Sequence, residues 1–484
     1  MSEACERTRA STLRSIAAVV PPDCAPHVVG EGDVAVSGIT HDSRLVTAGV
    51  LFACIRGEYT DGHDHAAEAL ARGATSLVVD HRLDVPAAGQ LVVADVRPCL
   101  GWIARSVYGA PSDSLAVIGI TGTNGKTTTA HLLAAILTAA GRHTGVIGTL
   151  TGARTTPEAT ELQARLAEFV ERGDDVVVME VSSHALALHR VEGTQFQVGV
   201  FTNLGEDHLD LHGSMESYFR AKARLFEEGR TQIGVVNVDD LYGRLLADSA
   251  SIDIVPFSQQ DASDVVVGAG SMQLTWRGTE LSVPLGGGFN VMNVLAAATA
   301  AATIGIDRSS IVDGLEGVTP VAGRFQHVGG AGNGIDVVVD YAHTPEALTS
   351  LLSSARELTS GDGRVIVVFG CGGDRDAGKR PHMGAAAAAG SDVTIVTSDN
   401  PRHEQPMAII DAIVAGVDPT DRLHVVIEPD RGTAIARAID AARQGDLVVI
   451  AGKGHETTQV VGDVATPFAD ATVAAAALAK RAPT

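Results

Sequence analysis

The stretch Val117-Ile-Gly-Ile-Thr-Gly-Thr-Asn-Gly-Lys-Thr-Thr-Thr129 decides how the chain is read. Its apolar opening has strand character, its glycines belong to a turn, and a helix is expected to open at Lys126. Backbone N–H groups in such a turn, backed by a helix N-terminus, form a cradle for phosphate oxygens. Lys126 then reaches the outer phosphates, and the Thr127 hydroxyl is offered to Mg²⁺. The match to the standard phosphate-binding loop is incomplete. Ile120 stands where that pattern has its first glycine, with Gly119 and Gly122 on either side. A plain glycine turn between a buried strand and a helix is the competing account. Gly-x-x-Gly-Lys-Thr after an apolar run favours a nucleoside triphosphate site.

Composition limits the surroundings of that site. A chain of 484 residues is too long for a single core. With 45% hydrophobic and 19% charged residues it has ordinary globular composition. A net charge of −22 argues against a broad footprint on nucleic acid or an anionic membrane, so an anionic substrate needs a local basic pocket. Cys5, Cys24, Cys54, Cys99 and Cys371 show no metal-ligand spacing and read as unpaired thiols of a reducing compartment. The N-terminus lacks a signal-peptide core. The apolar run Asn293–Ile306 is shorter than the roughly 20 residues that span a bilayer, and reads as a buried helix. The expectation is a cytoplasmic, monomeric protein with no nucleic-acid partner and no membrane insertion.

Apolar runs alternate with helical spacing, which implies an α/β chain in three domains, 1–110, 111–324 and 325–484. The first is small and carries short strands (Val34–Ile39, Ser76–Val79, Gln90–Val93) and a helix near His65–Arg72. Tyr108-Gly-Ala-Pro-Ser-Asp113 reads as a linker. The second is a doubly wound, mainly parallel sheet around the phosphate loop, with further strands Asp175–Val181 and Phe196–Thr202. The third is Rossmann-like. Its apolar runs end at Asp340, Gly370, Ser398 and Ala451, and ligands of open α/β sheets bind beyond such ends. An Ala-rich C-terminal helix follows, with Asp470 placed to cap its start.

Several side chains then stand out. Glu180 ends a buried strand, where a carboxylate needs a partner; a metal shared with Thr127 supplies one, and capping of the next helix is the alternative. His208, in Phe201-Thr-Asn-Leu-Gly-Glu-Asp-His-Leu-Asp210, also follows a strand and lies beside acids. Lys222, in Tyr218-Phe-Arg-Ala-Lys-Ala-Arg-Leu-Phe226, reads by spacing alone as a solvated cation on an amphipathic helix. Asp340-Tyr-Ala-His-Thr-Pro345 sets an acid and a histidine at a strand end, with Pro345 suited to open a helix. Gly370-Cys-Gly-Gly-Asp-Arg-Asp-Ala-Gly-Lys-Arg-Pro381 brings three basic residues near one another, which suits anion recognition. Ser398-Asp-Asn-Pro-Arg402 and Gly452-Lys-Gly-His-Glu456 offer a guanidinium and a carboxylate, a pair matched to a ligand with both a carboxylate and an ammonium. Each loop alone is equally compatible with a solvated turn. No hydrolytic triad or zinc spacing accompanies them, so the chemistry expected is phosphoryl transfer that activates a carboxylate.

Together, Thr121-Gly-Thr-Asn-Gly-Lys-Thr127, Met179-Glu-Val-Ser-Ser-His184, Asp207-His-Leu-Asp210, Ala221-Lys222, Gly323-Arg324, Asp340-Tyr-Ala-His-Thr-Pro345 and Asp399-Asn-Pro-Arg402 closely resemble the Mur ligases, ATP-dependent amino-acid-adding enzymes of peptidoglycan synthesis. The resemblance covers nearly the whole chain, and the Asp-Asn-Pro-Arg loop places it with the members that add meso-diaminopimelate to UDP-N-acetylmuramoyl-L-Ala-D-Glu. It implies ATP and Mg²⁺ as cofactors and an acyl-phosphate route to an amide bond, in cell-wall biogenesis, cell shape and division.

The same resemblance implies residue roles. ATP would be held by Gly122, Thr123, Asn124, Gly125, Lys126, Thr127 and Thr128, with Asn290 and Asn293 on the adenine side and Arg324 and Asp340 completing the site. Thr127, Glu180, His208 and Lys222 would hold the metal, the lysine through carbamylation, which reverses the solvated reading of Lys222. With Lys126, those last three are the expected catalytic residues. The UDP-sugar would use Ser43 of His41-Asp-Ser-Arg44, Thr155, Thr156, Ser182 and Arg190, although Arg154 departs from the asparagine some relatives carry before the threonine pair. Diaminopimelate would meet Arg375, Asp399, Asn400, Pro401, Arg402, Gly452 and Glu456. Two rivals remain open: another amide-forming relative such as a folylpolyglutamate synthase, and an ATP-dependent switch without ligase chemistry.

Overall fold

The computed structural model describes residues 11–57, 60–329, 334–359 and 361–481. The chain divides into two compact units: Met1–Gly122, Gly141–Leu204 and His208–Pro256 in one, and Thr123–Ala140, Gly205–Asp207 and Phe257–Thr484 in the other.

The first unit holds two α/β sheets. The N-terminal sheet has five strands in the order His27–Gly30, Gly89–Val92, Ser76–Val79, Val50–Ala53, Gly38–Thr40. All neighbours are parallel except the first pair. Val50–Ala53 and Ser76–Val79 are buried at every position, as strands covered on both faces must be. Leu51 and Val78 face one core with the helix Val96–Val107, while Phe52, Leu77 and Val79 face another with the helix Ala66–Ala71. The single strand expected over Val34–Ile39 is two: Ala35–Val36 pairs back to Ser11–Thr12, and Gly38–Thr40 joins the main sheet. The cysteine reading also changes. Cys24 and Cys99, 75 residues apart, are disulfide-bonded inside the core around Leu13 and Leu100, with Cα atoms 5.8 Å apart. Cys54 and Cys371 are buried thiols whose pKa values burial pushes up to about 12.

The central sheet runs Asp253–Phe257, Thr231–Asn237, Phe196–Phe201, Ala116–Thr121, Val176–Glu180, Thr144–Ile147. From Ala116–Thr121 the chain builds strands on one side, then crosses to Phe196–Phe201 on the other, and both neighbours lie parallel to it. That reversal is the topological switch point, where the carboxyl ends of adjacent strands open a crevice. Gly122 and Thr202 stand there, directly beyond Thr121 and Phe201.

In the second unit the helix Lys126–Ala139 packs with Asn290–Thr303 and Arg308–Glu316. Asn290–Thr303 is buried almost all round, and its alanines admit close neighbours. An antiparallel three-stranded sheet over residues 262–283 precedes it, an element the alternating pattern did not announce. The C-terminal sheet runs Gln326–His327, Asp336–Asp340, Leu447–Ala451, Val365–Phe369, Val393–Val396, Val425–Ile427, parallel except at its first pair. The four loops expected at strand ends follow Asp340, Phe369, Val396 and Ala451 on one edge. Pro345 opens its helix behind a Thr344 cap, as expected.

Asp470 does not cap the last helix, whose N-cap is Ala469. Its carboxylate instead takes two 2.7 Å bonds from Arg431, and both side chains are fully buried. A buried guanidinium makes Asp470 worth more as a counter-charge than as a cap. Asp470→Asn strands that cation and is expected to cost about 3–5 kcal/mol, read as a lowered urea midpoint of the purified protein.

Candidate active site

In the first unit the site grows from the ends of the central strands. Glu180 closes the buried strand Val176–Glu180 at 2% exposure. It does not cap the following helix; Ser182 does, through Ala185. Its carboxylate accepts from the Thr149 N–H (2.8 Å) and the Thr149 hydroxyl (3.2 Å). Thr149 in turn meets Thr155 at 3.0 Å, and the Thr156 hydroxyl bridges the Glu180 carbonyl and the Ser182 N–H. Arg190 reaches Glu158 at 2.8 Å and the Thr156 carbonyl at 3.4 Å, and burial lowers its pKa. The structure thus brings Thr155, Thr156, Ser182 and Arg190 around Glu180. Ser43 begins a short 3₁₀ turn capped by Asp42, and His41 beside it meets Thr160, four residues after Thr156. Arg154 is exposed and lies 3.7 Å from Glu161.

Lys222 requires the sharpest revision of the spacing argument. The helix Met215–Ala223 buries Tyr218, Ala221 and Lys222, and Lys222 is 1% exposed. Its ammonium donates to the Gly122 carbonyl at 2.8 Å and lies 4.6 Å from the centre of the Tyr218 ring. Amphipathic spacing assigns one face to solvent, but here a lysine lies on the inward face with a carbonyl and a π face to replace water. Around it sit His208, with left-handed φ of 54°, His184 at 4.8 Å edge-to-face, and His212 stacked on Tyr218 at 4.9 Å. Sequence reasoning missed His212, which bonds Ser183 at 3.0 Å. Burial, then the neighbouring His184, His208 and Lys222, lower its pKa. Another cluster among the described residues, His63, Asp80 and His81, has metal-ligand chemistry, but Arg56 and Asp61 already pair with it.

In the second unit Gly125, at φ +88°, is the N-cap of Lys126–Ala139, where the helix was expected to start. A Cβ there would collide with Asn293 Oδ1. Lys126 folds back on the Thr123 carbonyl at 2.8 Å, and Thr123 hydrogen-bonds Gly205. Asn124 is exposed, whereas Thr127 and Thr128 are buried. Asn290 and Asn293 form a chain: Asn293 Nδ2 donates to Asn290 Oδ1 (2.8 Å), and Asn290 Nδ2 to the Gly286 carbonyl (2.7 Å). Arg324 lies 3.3 Å from the Thr127 hydroxyl and 4.7 Å over the Tyr341 ring. Asp340 is spent on the backbone, accepting from Phe325 N–H (2.7 Å) and Ala342 N–H (2.8 Å). Burial raises its pKa, with Arg324 opposing. Its direct role is to hold the residue after Arg324. These residues fit a triphosphate: a helix N-terminus with a left-handed glycine, a lysine, two threonine hydroxyls and an arginine.

The C-terminal strand ends build a second cluster. Asn400 Nδ2 donates to Glu456 Oε2 at 2.7 Å, and Arg402 donates to the Gly373 carbonyl at 2.6 Å. Arg402 has φ +50°, and its backbone bonds Val460 and Gly462, so an exposed hairpin (Thr458–Val461, Val464–Pro467) grips the loop. Asp399 is buried with raised pKa, beneath Gly452. Arg375 is exposed above Gly372. Of the three basic residues read there as an anion site, Arg380 is buried and committed to Glu404. That pair ties down the loop, since Glu404 also accepts from Asp374 N–H.

Family models match three successive stretches: the Mur ligase family catalytic domain at residues 35–108, the Mur ligase middle domain at 120–301, and the Mur ligase glutamate ligase domain at 323–454. The chain belongs to the Mur ligase family. Within it, the chain is similar to UDP-N-acetylmuramoyl-L-alanyl-D-glutamate–2,6-diaminopimelate ligases. That of Streptomyces avermitilis is 44% identical over 91% of this chain and 92% of its own length, and that of Streptomyces coelicolor 43% over 93% and 94%. A solved structure of the same description aligns with TM-score 0.68 and 33% identity, covering 97% of this chain and 99% of that one. A Mycobacterium tuberculosis folylpolyglutamate synthase, at 19% identity and TM-score 0.58, shares the fold over 79% of this chain and 95% of its own.

Replacing Gly125 by alanine imposes a left-handed strain of about 1 kcal/mol and the collision with Asn293. Titration with a fluorescent ATP analogue is expected to show an affinity loss of about tenfold or more. Unchanged affinity would remove the loop from the nucleotide site.

Proposed function

We propose that the chain is an ATP-dependent acid–amino-acid ligase. It joins meso-2,6-diaminopimelate to UDP-N-acetylmuramoyl-L-Ala-D-Glu in cytoplasmic peptidoglycan precursor synthesis. The observation that carries the amino-acid assignment is the convergence of Asn400, Arg402 and Glu456, a donor, a cation and an anion on two strand-end loops held by one hairpin. A ligand with a distal ammonium and carboxylate satisfies all three; lysine leaves Arg402 unmatched.

In this reading residues 1–110 and the Thr155, Thr156, Ser182, Arg190 group take the UDP-sugar, residues 111–324 the nucleotide, and residues 325–484 the incoming amino acid. The D-glutamyl carboxylate attacks the γ-phosphorus of ATP, giving an acyl phosphate and ADP. The diaminopimelate amine then adds to the acyl carbon, loses a proton and expels phosphate. Thr127, Glu180, His208 and a carbamylated Lys222 are the residues that would hold Mg²⁺, which would supply charge neutralisation to the phosphates. Carbamylation suits a buried lysine, because it replaces a desolvated cation with a metal-binding anion. Lys126 exchanges the Thr123 carbonyl for phosphate oxygens, and the Gly122–Thr128 backbone orients them. Such catalysis is chiefly positioning and electrostatic stabilisation.

The direct test is phosphate release from ATP, Mg²⁺ and UDP-N-acetylmuramoyl-L-Ala-D-Glu with either meso-diaminopimelate or L-lysine. Turnover is expected with diaminopimelate, whereas release independent of both acceptor substrates would point to an ATP-driven switch. Arg402→Ala is expected to erode the preference for diaminopimelate over lysine by about tenfold or more, measured as the ratio of kcat/KM values. An unchanged ratio would take selectivity away from Arg402.

A further inference from the structure

Lys453 has no role in the account so far, yet it is among the largest fully buried side chains of the chain, at 0% exposure. An ammonium carries three N–H donors, and all three are used here. Nζ donates to Asn400 Oδ1 (3.1 Å), Glu456 Oε2 (2.9 Å) and the Thr458 carbonyl (2.8 Å). It therefore touches both loops of the amino-acid pocket and the first residue of the hairpin that grips them.

The consequence for Asn400 is orientational. Its Oδ1 accepts from Lys453 and from Val460 N–H (2.9 Å), which fills both lone pairs and forbids the flipped amide. Nδ2 must then face Glu456, and one of its N–H groups remains for a ligand. Glu456 is fixed in the same way. Oε2 accepts from both Lys453 and Asn400, leaving Oε1 as the acceptor for an incoming ammonium. Burial works against the Glu456 carboxylate, but the hydrogen bond and charge of Lys453, with the Asn400 hydrogen bond and His455, together lower its pKa. An uncompensated ammonium at this depth would be costly to desolvate, so the cation is retained for what it holds in place.

The geometry points to Lys453 as a positioning residue for amino-acid selection: its buried ammonium locks the Asn400 amide and the Glu456 carboxylate into the one arrangement that presents a donor and an acceptor to the distal end of the acceptor amino acid. It touches no substrate itself. The inference rests on the reading of this pocket as the diaminopimelate site.

The test is steady-state kinetics of Lys453→Met and Lys453→Gln in the full-length protein, varying meso-diaminopimelate, ATP and the UDP-sugar dipeptide separately. Loss of a charge-assisted hydrogen bond predicts a KM for diaminopimelate raised about tenfold or more in Lys453→Met, and less in Lys453→Gln. The KM values for ATP and UDP-sugar should stay within about twofold. In a cycle with Glu456→Gln, the double variant Lys453→Met, Glu456→Gln should be little worse than Glu456→Gln alone. An unchanged KM for diaminopimelate, or all three KM values rising together with a loss of thermal midpoint, would reduce Lys453 to a structural cation. Should Lys453→Met not fold, Lys453→Gln decides by the same criteria. Wild-type protein that fails to turn over diaminopimelate would sink the pocket assignment itself, an outcome distinct from a silent Lys453 variant in an active enzyme.

Discussion

The buried pair of Arg431 and Asp470 is the constraint on which the C-terminal pocket depends. One guanidinium, bound to the carboxylate that opens the last helix, also donates to the Ala451 carbonyl (2.9 Å) and the Ser398 carbonyl (3.4 Å). Those carbonyls lie at or just past the ends of two parallel strands, and the loops leaving them carry Asn400 and Arg402 on one side and Lys453 and Glu456 on the other. Arg431 has enough donors, in a rigid planar fork, to serve a carboxylate and two backbone oxygens at once. A lysine could not. The two loops of this cluster thus leave their strands at points held by a single side chain.

A second economy appears at the nucleotide loop. Asn290 and Asn293 satisfy each other and the Gly286 carbonyl, and Asn293 fills the space beside Gly125 that any side chain there would need. The buried helix Asn290–Thr303 can approach Lys126–Ala139 because alanines line it. Small residues set the distance, and the asparagines use it. Asp340 extends this logic, since its two backbone bonds fix the segment that carries Arg324.

Much of this was legible in the sequence because strands covered on both faces are long apolar runs, and their ends announce where loops begin. The runs before Asp340, Gly370, Ser398 and Ala451 located four strand-end loops to within two residues. The helix start at Lys126 was legible for the same reason that Gly125 is required there. What remained hidden depends on contacts distant in sequence. Tyr218, one turn before Lys222, is visible locally, but nothing near them says that the Gly122 carbonyl, 100 residues away, awaits the ammonium. Nothing in the spacing of Cys24 and Cys99 says that one core brings them together. Asp470 looked like a cap because its helix is visible locally and Arg431 is not. The hairpin Thr458–Pro467 was missed because its strands are short and largely exposed, without the apolar signature of buried strands. Its function is to hold a loop, not to fill a core.

Arg402 stands in a left-handed backbone conformation, φ +50°, that costs a non-glycine residue about 1–2 kcal/mol. Glycine would relieve that strain, so the guanidinium proposed above to select the substrate is carried at a cost in backbone energy. The hairpin's grip on the Arg402 backbone, through Val460 and Gly462, is what makes this main-chain conformation tolerable. Under the proposed role of Arg402, stability and fidelity pull against each other at a single residue, and a library screened for heat resistance alone would be expected to discard fidelity there first.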